Sequence, residues 1–449
     1  MIRLLSIAGS DSGGGAGIQQ DVRVFTCLGA YSSTVITSVT AQNTLGISNV
    51  LDIPGDLVIS QLEAVINDIR PHGIKIGMLG GHAPVEEISS LLKGWKESQG
   101  GWLVVDPIIL AKDGTCLCDQ TVLDLVKIHL FPLTDIICPN FNEFMSLTDR
   151  KLSGLDDLIA EGEGTLKILN AQNILVKGGH IPDALGTDVL IGRDGVRTFP
   201  SDPIKCDSTH GTGCVYSSAL LFYLASGLSI TEAVKSAKSF IELALRCPDS
   251  IGEGVGPVNV LAFQELQRAR YTVLAGLESA WDKLQSRDCA SLVPEVQMNI
   301  CYALPCAQSE SDCAAFPGRI VRYKNGVARV SGPVFGGSSH MARIVLTVMR
   351  SDPSIRCAIN VCYNPTFIKR AEQLGMKIGA FSRSSEPAEI KEKEGSTLVW
   401  GVARVIEDLG YVPDLIYDLG DVGKEPMIRI LATDPLSAVD KALAIGDIR

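Results

Sequence analysis

At 449 residues the chain is about three times the common single-domain size, so two domains, one of them large, are expected. Hydrophobic residues at 46%, charged residues at 20% and 44 glycines are globular values that argue against a disordered or fibrous chain. The net charge of −11 is uneven: residues 1–262 carry 29 acidic and 18 basic side chains and the remainder 22 of each, so the first part is a poor nucleic-acid binder.

The opening MIRLLSIAGSDSGGG has one basic residue and an apolar run too short for a signal peptide. No later stretch approaches the roughly 20 apolar residues of a membrane span. A soluble, cytoplasmic protein with no membrane partner is expected. The 13 cysteines include no CxxC and no zinc-ribbon spacing, so most read as small buried hydrophobes. Intracellular disulfides are the alternative if the source is a hyperthermophile.

In chain order, short β-branched runs ending in Gly or Pro alternate with amphipathic segments. LLSIAGS precedes Ile18–Leu28, STVITSVTA precedes Leu57–Ile69, GIKIGML precedes Val85–Trp95, and WLVVDPIIL precedes Thr121–His129; DIICPN and NILVKGGH continue the series. This βα repetition predicts a parallel sheet flanked by helices, with its binding crevice beyond the carboxyl ends of the strands. A helical stretch from about Val260 to Ser286 reads as a connection. The expected division is a domain over 1–262, a connecting helix over 263–290 and a second, smaller α/β domain over 291–449.

AGSDSGGGAG, residues 8–17, lies between a strand and a helix, where its glycines can turn tightly and bring backbone N–H groups to a ligand. It is neither a Walker A loop nor a convincing dinucleotide fingerprint, and a ligand-free turn is the alternative. DSTHGTGCVYSSALLFYLASG, residues 207–227, is the stronger signal: a Gly-rich turn feeding an apolar helix whose first turn holds Cys214. Stacked N–H groups at a positive helix end suit a phosphoryl group in flight. The alternative is that Gly211 and Gly213 merely permit a buried helix start.

Seven segments, IAGSDSGGGAGIQQD, SVTAQNT, IKIGML, DPIILAKDG, CPNFNE, LVKGGH and THGTGC, resemble in order and spacing the hydroxymethylpyrimidine/phosphomethylpyrimidine kinases of thiamine synthesis. The resemblance implies a ribokinase-like fold and ATP as phosphoryl donor. It sets Gly9, Gln42 and Met78 at pyrimidine-binding positions. The Gln42 amide offers the donor and acceptor that an aminopyrimidine edge requires, and Met78 an adaptable apolar face; a plain strand-end polar residue is the other reading of Gln42.

By the same resemblance Asp106 and Glu143 are metal-side residues for magnesium (Mg2+), with Asn140, Lys177, Gly211 and Gly213 on the ATP phosphates and Lys112 at the substrate. Taken singly, Asp-Pro and Asn-x-x-Glu are more often strand-end and helix-cap features. Cys214 stands where most ribokinase-like enzymes place an aspartate base. A free thiol titrates near about 8.5, and the helix N-terminus is expected to lower that, giving a thiolate base. A neutral thiol that positions the hydroxyl is the competing account.

Residues 291–449 again mix strand-like and helical runs, and residues 319–370 hold nine Lys+Arg against one Asp, a stripe that wants an anionic partner. The GGSSH turn entering a helix reads as an anion site, with Arg319 and Arg343 fit for phosphate recognition; a capped helix with exposed arginines is the alternative. FPGRIV, FGGSSHMAR, INVCYN, FSR, STLVWG and DLGDVGKEPMIRI together resemble the archaeal-type thiamine phosphate synthase domain. That resemblance implies Arg319 and His340 as catalytic, with Lys424 and Glu425 on the phosphate or metal side, in a condensation of pyrimidine diphosphate with thiazole phosphate. His340 is expected as a cation beside the departing diphosphate, a general acid or a helix-start histidine.

The alternative function is a kinase, also acting on pyridoxal, with a ligand-sensing module behind it; no helix-turn-helix segment speaks for a regulator. Aromatics are sparse in the basic stripe, which argues against nucleic acid. The partners expected are small-molecule substrates, and the assembly a homo-oligomer.

Overall fold

The computed structural model describes residues 1–108, 119–383, 386, 396–421 and 423–448, with main chain alone at 396 and 397. The chain divides into two compact units, Met1–Gln264 and Glu265–Arg449.

The first unit is built on a nine-stranded sheet in the order β3-β2-β1-β4-β5-β6-β7-β8-β9. The strands are β1 (Arg3–Asp11), β2 (Tyr31–Asn43), β3 (Gly46–Asp52), β4 (Gly73–Ile76), β5 (Trp102–Val105), β6 (Ile136–Ile137), β7 (Asn173–Val176), β8 (Asp188–Gly192) and β9 (Gly195–Phe199). From β2 through β7 the pairing is parallel. Both edges depart from the parallel expectation, since β3, β8 and β9 run antiparallel to their neighbours. Two-residue returns explain two of these pairings: only Thr44-Leu45 separates β2 from β3, and only Arg193-Asp194 separates β8 from β9.

Alternate strand residues enter opposite cores. Leu5, Ile7, Leu103, Val105 and Ile137 join one apolar cluster, while Leu4, Val104 and Ile136 join the other. Helices α1 (Gly17–Cys27), α7 (Thr212–Ala225) and α8 (Ile230–Arg246) cover the second face. Helices α2 (Gly55–Asp68), α3 (Val85–Gln99), α5 (Phe141–Thr148) and α6 (Leu155–Ile168) cover the first.

One polar cluster interrupts the α1/α7 face. Asp21 of α1 accepts from Lys75 Nζ at 2.8 and 3.0 Å, from Ser6 Oγ at 2.6 Å and from Ser218 Oγ at 2.7 Å. All four residues are fully buried. Burial alone would lower the Lys75 ammonium; the Asp21 carboxylate outweighs it and raises the group above its ordinary value. A buried pair satisfied this completely tolerates replacement of both partners better than loss of one.

Helix α9 (Ala262–Gln285) buries Val273, Leu277, Trp281 and Leu284 in the core of the second unit. That unit contains a seven-stranded sheet, in chain order β10 (Ile300–Ala303), β11 (Cys313–Ala315), β14 (Val334–Phe335), β15 (Cys357–Cys362), β16 (Ile378–Ala380), β17 (Leu415–Asp418) and β18 (Met427–Ala432). Among the described residues of this sheet only β16 and β17 pair in parallel. Strands β12 (Ile320–Tyr323) and β13 (Gly326–Arg329) form a separate hairpin, and helices α10 (Ser339–Met349) and α11 (Pro365–Gln373) follow the strands that precede them in the chain. The cysteines among the described residues are free thiols, most of them buried. No helix among the described residues is long and apolar enough to cross a membrane.

Replacing Asp21 by Asn should leave Lys75 buried without its counter-charge and cost the first unit about 3–5 kcal/mol, read as an earlier first transition in urea. An unchanged transition would show the pair to be dispensable.

Candidate active sites

In the first unit the site lies where the carboxyl ends of β1, β2, β5 and β7 meet the start of α7. Gly211 is the left-handed residue before α7, with φ of 79°, and a Cβ on it would sit 1.9 Å from the Gly15 carbonyl oxygen. A Cβ on Gly15 would in turn fall 2.3 Å from the His210 ring. Backbone therefore lies on backbone between the 11–17 loop and the 208–213 turn, which only glycine permits.

Asp11 organises the loop, accepting N–H bonds from Gly13 at 2.8 Å, Gly15 at 3.1 Å and Ala16 at 2.8 Å. Burial would raise the Asp11 carboxyl; bonds from His210, Gly13 and Ala16 outweigh it and hold the group below its usual value. Gly9, Met78 and Ser38 pack together, since a Cβ on Gly9 would lie 2.9 Å from Ser38 Oγ and 3.2 Å from Met78 Sδ. Gln42 lines an open cavity of about 600 Å³ with Ser12, Asn43, Leu45 and Ile47. Its amide lies 3.1 Å from His210 Nε2.

Beyond β5, Asp106 binds Lys177 Nζ at 2.6 Å through one oxygen and accepts from Ser217 Oγ at 3.1 Å through the other. A Cβ on Gly213 would lie 3.2 Å from Lys177 Nζ and 3.4 Å from Asp106, so the first turn of α7 rests on this pair. Burial alone would lower Lys177, but Asp106 and Glu143 outweigh it and raise it. Asn140 and Glu143 form a reciprocal capping box on α5, with N–H bonds of 2.9 and 2.7 Å. Glu143 is buried close enough to act on Lys177. Among the described residues no group of three or more His, Cys, Asp or Glu side chains is arranged to hold a metal. Lys112 lies outside the described residues.

Cys214 is buried in the first turn of α7. The expectation of a lowered thiol is corrected here. Burial pushes it up to about 11; Lys75 and the Gly17 N–H oppose the rise, while Asp21 and Asp106 add to it. The helix end does not recover the cost of desolvating a thiolate, so the group is a thiol at neutral pH.

In the second unit Arg319, left-handed at φ of 64°, donates to the Val296 carbonyl. Glu425 accepts from the N–H groups of Glu295 at 2.9 Å and Val296 at 3.0 Å, so it braces the segment that holds Arg319. Lys424 is exposed in the adjoining turn. The Gly337 turn touches β11, a Cβ there lying 2.4 Å from the Ala315 carbonyl, and Ser338 caps α10.

His340 follows in the first turn of α10, with Arg343 one turn on and paired to Glu310 at 2.7 Å. Desolvation, then the charges of Arg429, Arg319, Arg383 and Arg343, push the His340 imidazole down to about 4. Of the three readings of His340 offered by the sequence, the cation gives way to a neutral imidazole at pH 7.

Sequence reasoning passed over Asp418, fully buried between Arg383 at 2.6 Å and Arg429 at 2.8 Å. It passed over Arg383, Arg429, His210 and Asp11 as well, although all five stand inside quoted motifs. Their signal was a charged or imidazole side chain next to a glycine turn or strand end.

Comparison with known proteins gives the class. The profile of the phosphomethylpyrimidine kinase family matches residues 11–259, more than half of the chain, and the chain belongs to that family. A second profile, thiamine-phosphate synthase ThiN, matches residues 276–444. The bifunctional thiamine biosynthesis protein ThiDN of Methanocaldococcus jannaschii is 29% identical over 99% of this chain and 98% of its own length. The hydroxymethylpyrimidine/phosphomethylpyrimidine kinase of Haemophilus influenzae is 40% identical over 59% of this chain and 98% of its own. The bifunctional protein ThiED of Geobacter sulfurreducens is 39% identical, and this chain spans 53% of it. Among solved structures, the Staphylococcus aureus pyridoxal kinase in complex with ADP superposes with a TM-score of 0.53 at 29% identity, over 59% of this chain and 96% of its own. The chain is thus a kinase domain of ribokinase-like fold followed by a thiamine-phosphate synthase domain.

A thiol pushed up to about 11 should be alkylated by iodoacetamide at a rate that climbs about tenfold per pH unit from pH 7 to 10. A plateau reached below pH 8 would contradict this and restore the thiolate.

Proposed function

We propose that the first unit transfers the terminal phosphoryl group of ATP to hydroxymethylpyrimidine and then to its monophosphate. The second unit then joins the resulting diphosphate to a thiazole phosphate, forming thiamine phosphate and releasing diphosphate. The kinase falls to residues 1–262 and the synthase to 291–449, with 263–290 between them.

The observation that carries the kinase reading is the convergence on one sheet edge of the α7 start, the Asp106–Lys177 pair and the glycine loop. N–H groups of the α7 first turn face the charge that develops on a transferring phosphoryl group, and Lys177 reaches its oxygens. Cys214, as a thiol, orients the attacking hydroxyl; a loose transition state asks little of a base. Gly9, Gln42 and Met78 take the pyrimidine. Asp106 and Glu143 are two buried carboxylates that both act on Lys177, hard oxygen donors that suit Mg2+ held partly through water. When bound, the ion would offset charge on the ATP phosphates.

In the second unit Arg319, Arg343, Arg383 and Arg429 surround His340 and suit a diphosphate leaving group. Neutral His340 accepts or relays a proton there, while Arg319 and its neighbours carry the charge. Lys424 adds a flexible positive charge at the rim. The reading includes a cytoplasmic homo-oligomer.

The purified chain, given hydroxymethylpyrimidine, thiazole phosphate and Mg-ATP, should form thiamine phosphate, and Arg319→Ala should stop at the pyrimidine diphosphate. Accumulation of that diphosphate by the unaltered chain would remove the synthase reading. Turnover of pyridoxal in preference to the pyrimidine would reassign the kinase.

A further inference from the structure

His210 holds one ring nitrogen against two groups of opposite demand. Its Nε2 lies 3.1 Å from Asp11 Oδ2, which needs a donor, and 3.1 Å from Gln42 Nε2, which is itself a donor. A ring nitrogen that donates to the carboxylate cannot accept from the amide. The other end of the Gln42 amide has a matching conflict. Thr40 Oγ1, with one proton, lies 3.1 Å from the Ser10 carbonyl and 3.1 Å from Gln42 Oε1, both acceptors.

A half-turn of the Gln42 carboxamide removes both conflicts. The two ends of an amide have nearly the same shape and are told apart by their partners. We infer that His210 is a positioning residue that holds the Gln42 carboxamide with its oxygen towards Nε2–H and its NH2 towards Thr40. His210 then donates to Asp11 and Gln42 together, and Thr40 accepts from the amide while donating to Ser10.

His210 is well placed for this. Its N–H donates to the Gly256 carbonyl at 2.9 Å and its own carbonyl accepts from Val258 at 3.1 Å. Its ring edge lies against Gly15, where no larger residue fits. The imidazole cannot follow a rotating amide; the amide must follow it.

The consequence concerns the substrate, and it rests on the pyrimidine kinase reading proposed above. With one lone pair and one N–H engaged, Gln42 has one of each left, side by side, facing away from its stem. That pair matches a ring nitrogen beside an exocyclic amino group. Its left-to-right order decides which face of the ring turns upward, hence where the hydroxymethyl group points. The reversed amide would take the same ring turned over, with its hydroxyl away from the α7 start. Loss of the His210 donor should therefore populate non-productive binding and lower kcat rather than ATP affinity.

The test measures kcat and KM for hydroxymethylpyrimidine, KM for ATP and thermal melting of the full chain. In His210→Leu, kcat should fall about tenfold or more, the scale of one well-placed hydrogen bond, with the ATP KM within about twofold. His210→Gln, which returns an N–H donor, should recover most of it. In a Gln42→Ala background His210→Leu should add less than about twofold, as a residue acting through another requires. Thr40→Val, isosteric, should lower kcat in the same sense and reads the proposal even if His210→Leu folds poorly. Unchanged kcat in His210→Leu, or losses that multiply in the double variant, would overturn the proposal and leave the kinase reading standing. A lower melting temperature with no rescue by Gln would also overturn it, as a purely structural clasp. An unaltered chain that does not phosphorylate the pyrimidine overturns both.

Discussion

The first unit depends on a contact that has no side chain in it. The turn before α7 and the loop after β1 are separated by almost two hundred residues, yet the Gly15 carbonyl stands where a Cβ of residue 211 would be. That approach brings the first turn of α7 beside the loop that Asp11 folds by accepting from Gly13 and Ala16, and so builds the site from two chain segments. Gly213 repeats the device over Lys177 and Asp106. Each glycine gives up side-chain packing and chain entropy for proximity, a loss offset by the apolar cores on both faces of the strands beneath.

Buried charge is the second constraint. Asp21 with Lys75 and Asp106 with Lys177 set pairs of opposite sign under the first turns of α7. They fix α7 through Ser218 and Ser217, which sit one turn beyond Cys214 and Gly213. The same burial makes a thiolate at Cys214 costly, so the site favours a group that orients a hydroxyl over one that takes its proton. In the second unit like charges do comparable work: desolvation, together with the charges of Arg429, Arg319, Arg383 and Arg343, holds the His340 imidazole below its ordinary value.

Much of this was legible in the sequence because motifs at strand ends name their own location. The glycine turns, Asp106, Lys177 and Gln42 fall where a βα reading places them. What was not legible is what distant segments do to each other. The Cys214 thiol is raised by desolvation, with Lys75, Asp21 and Asp106 arriving from other elements to act on it, and its place at a helix start announces none of this. His210 and Asp418 carry roles visible only once β1, β2 and α7, or β17 and β18, are side by side. The Asn140-x-x-Glu143 pattern satisfied its helix-cap reading in full while also lying beside Lys177, so one motif supports two readings. The antiparallel edges followed from two-residue connections that a strand-by-strand pattern does not weigh.

The most direct test of this account is Gly211→Ala, assayed on the full chain for each activity separately. Its Cβ would meet the Gly15 carbonyl and its φ of 79° would be strained. Pyrimidine phosphorylation should fall about a hundredfold, as displacement of the reacting groups by an ångström implies, while condensation from supplied pyrimidine diphosphate is unchanged. Phosphorylation at the unaltered rate would contradict the claim that backbone contact between the two glycine segments makes the site.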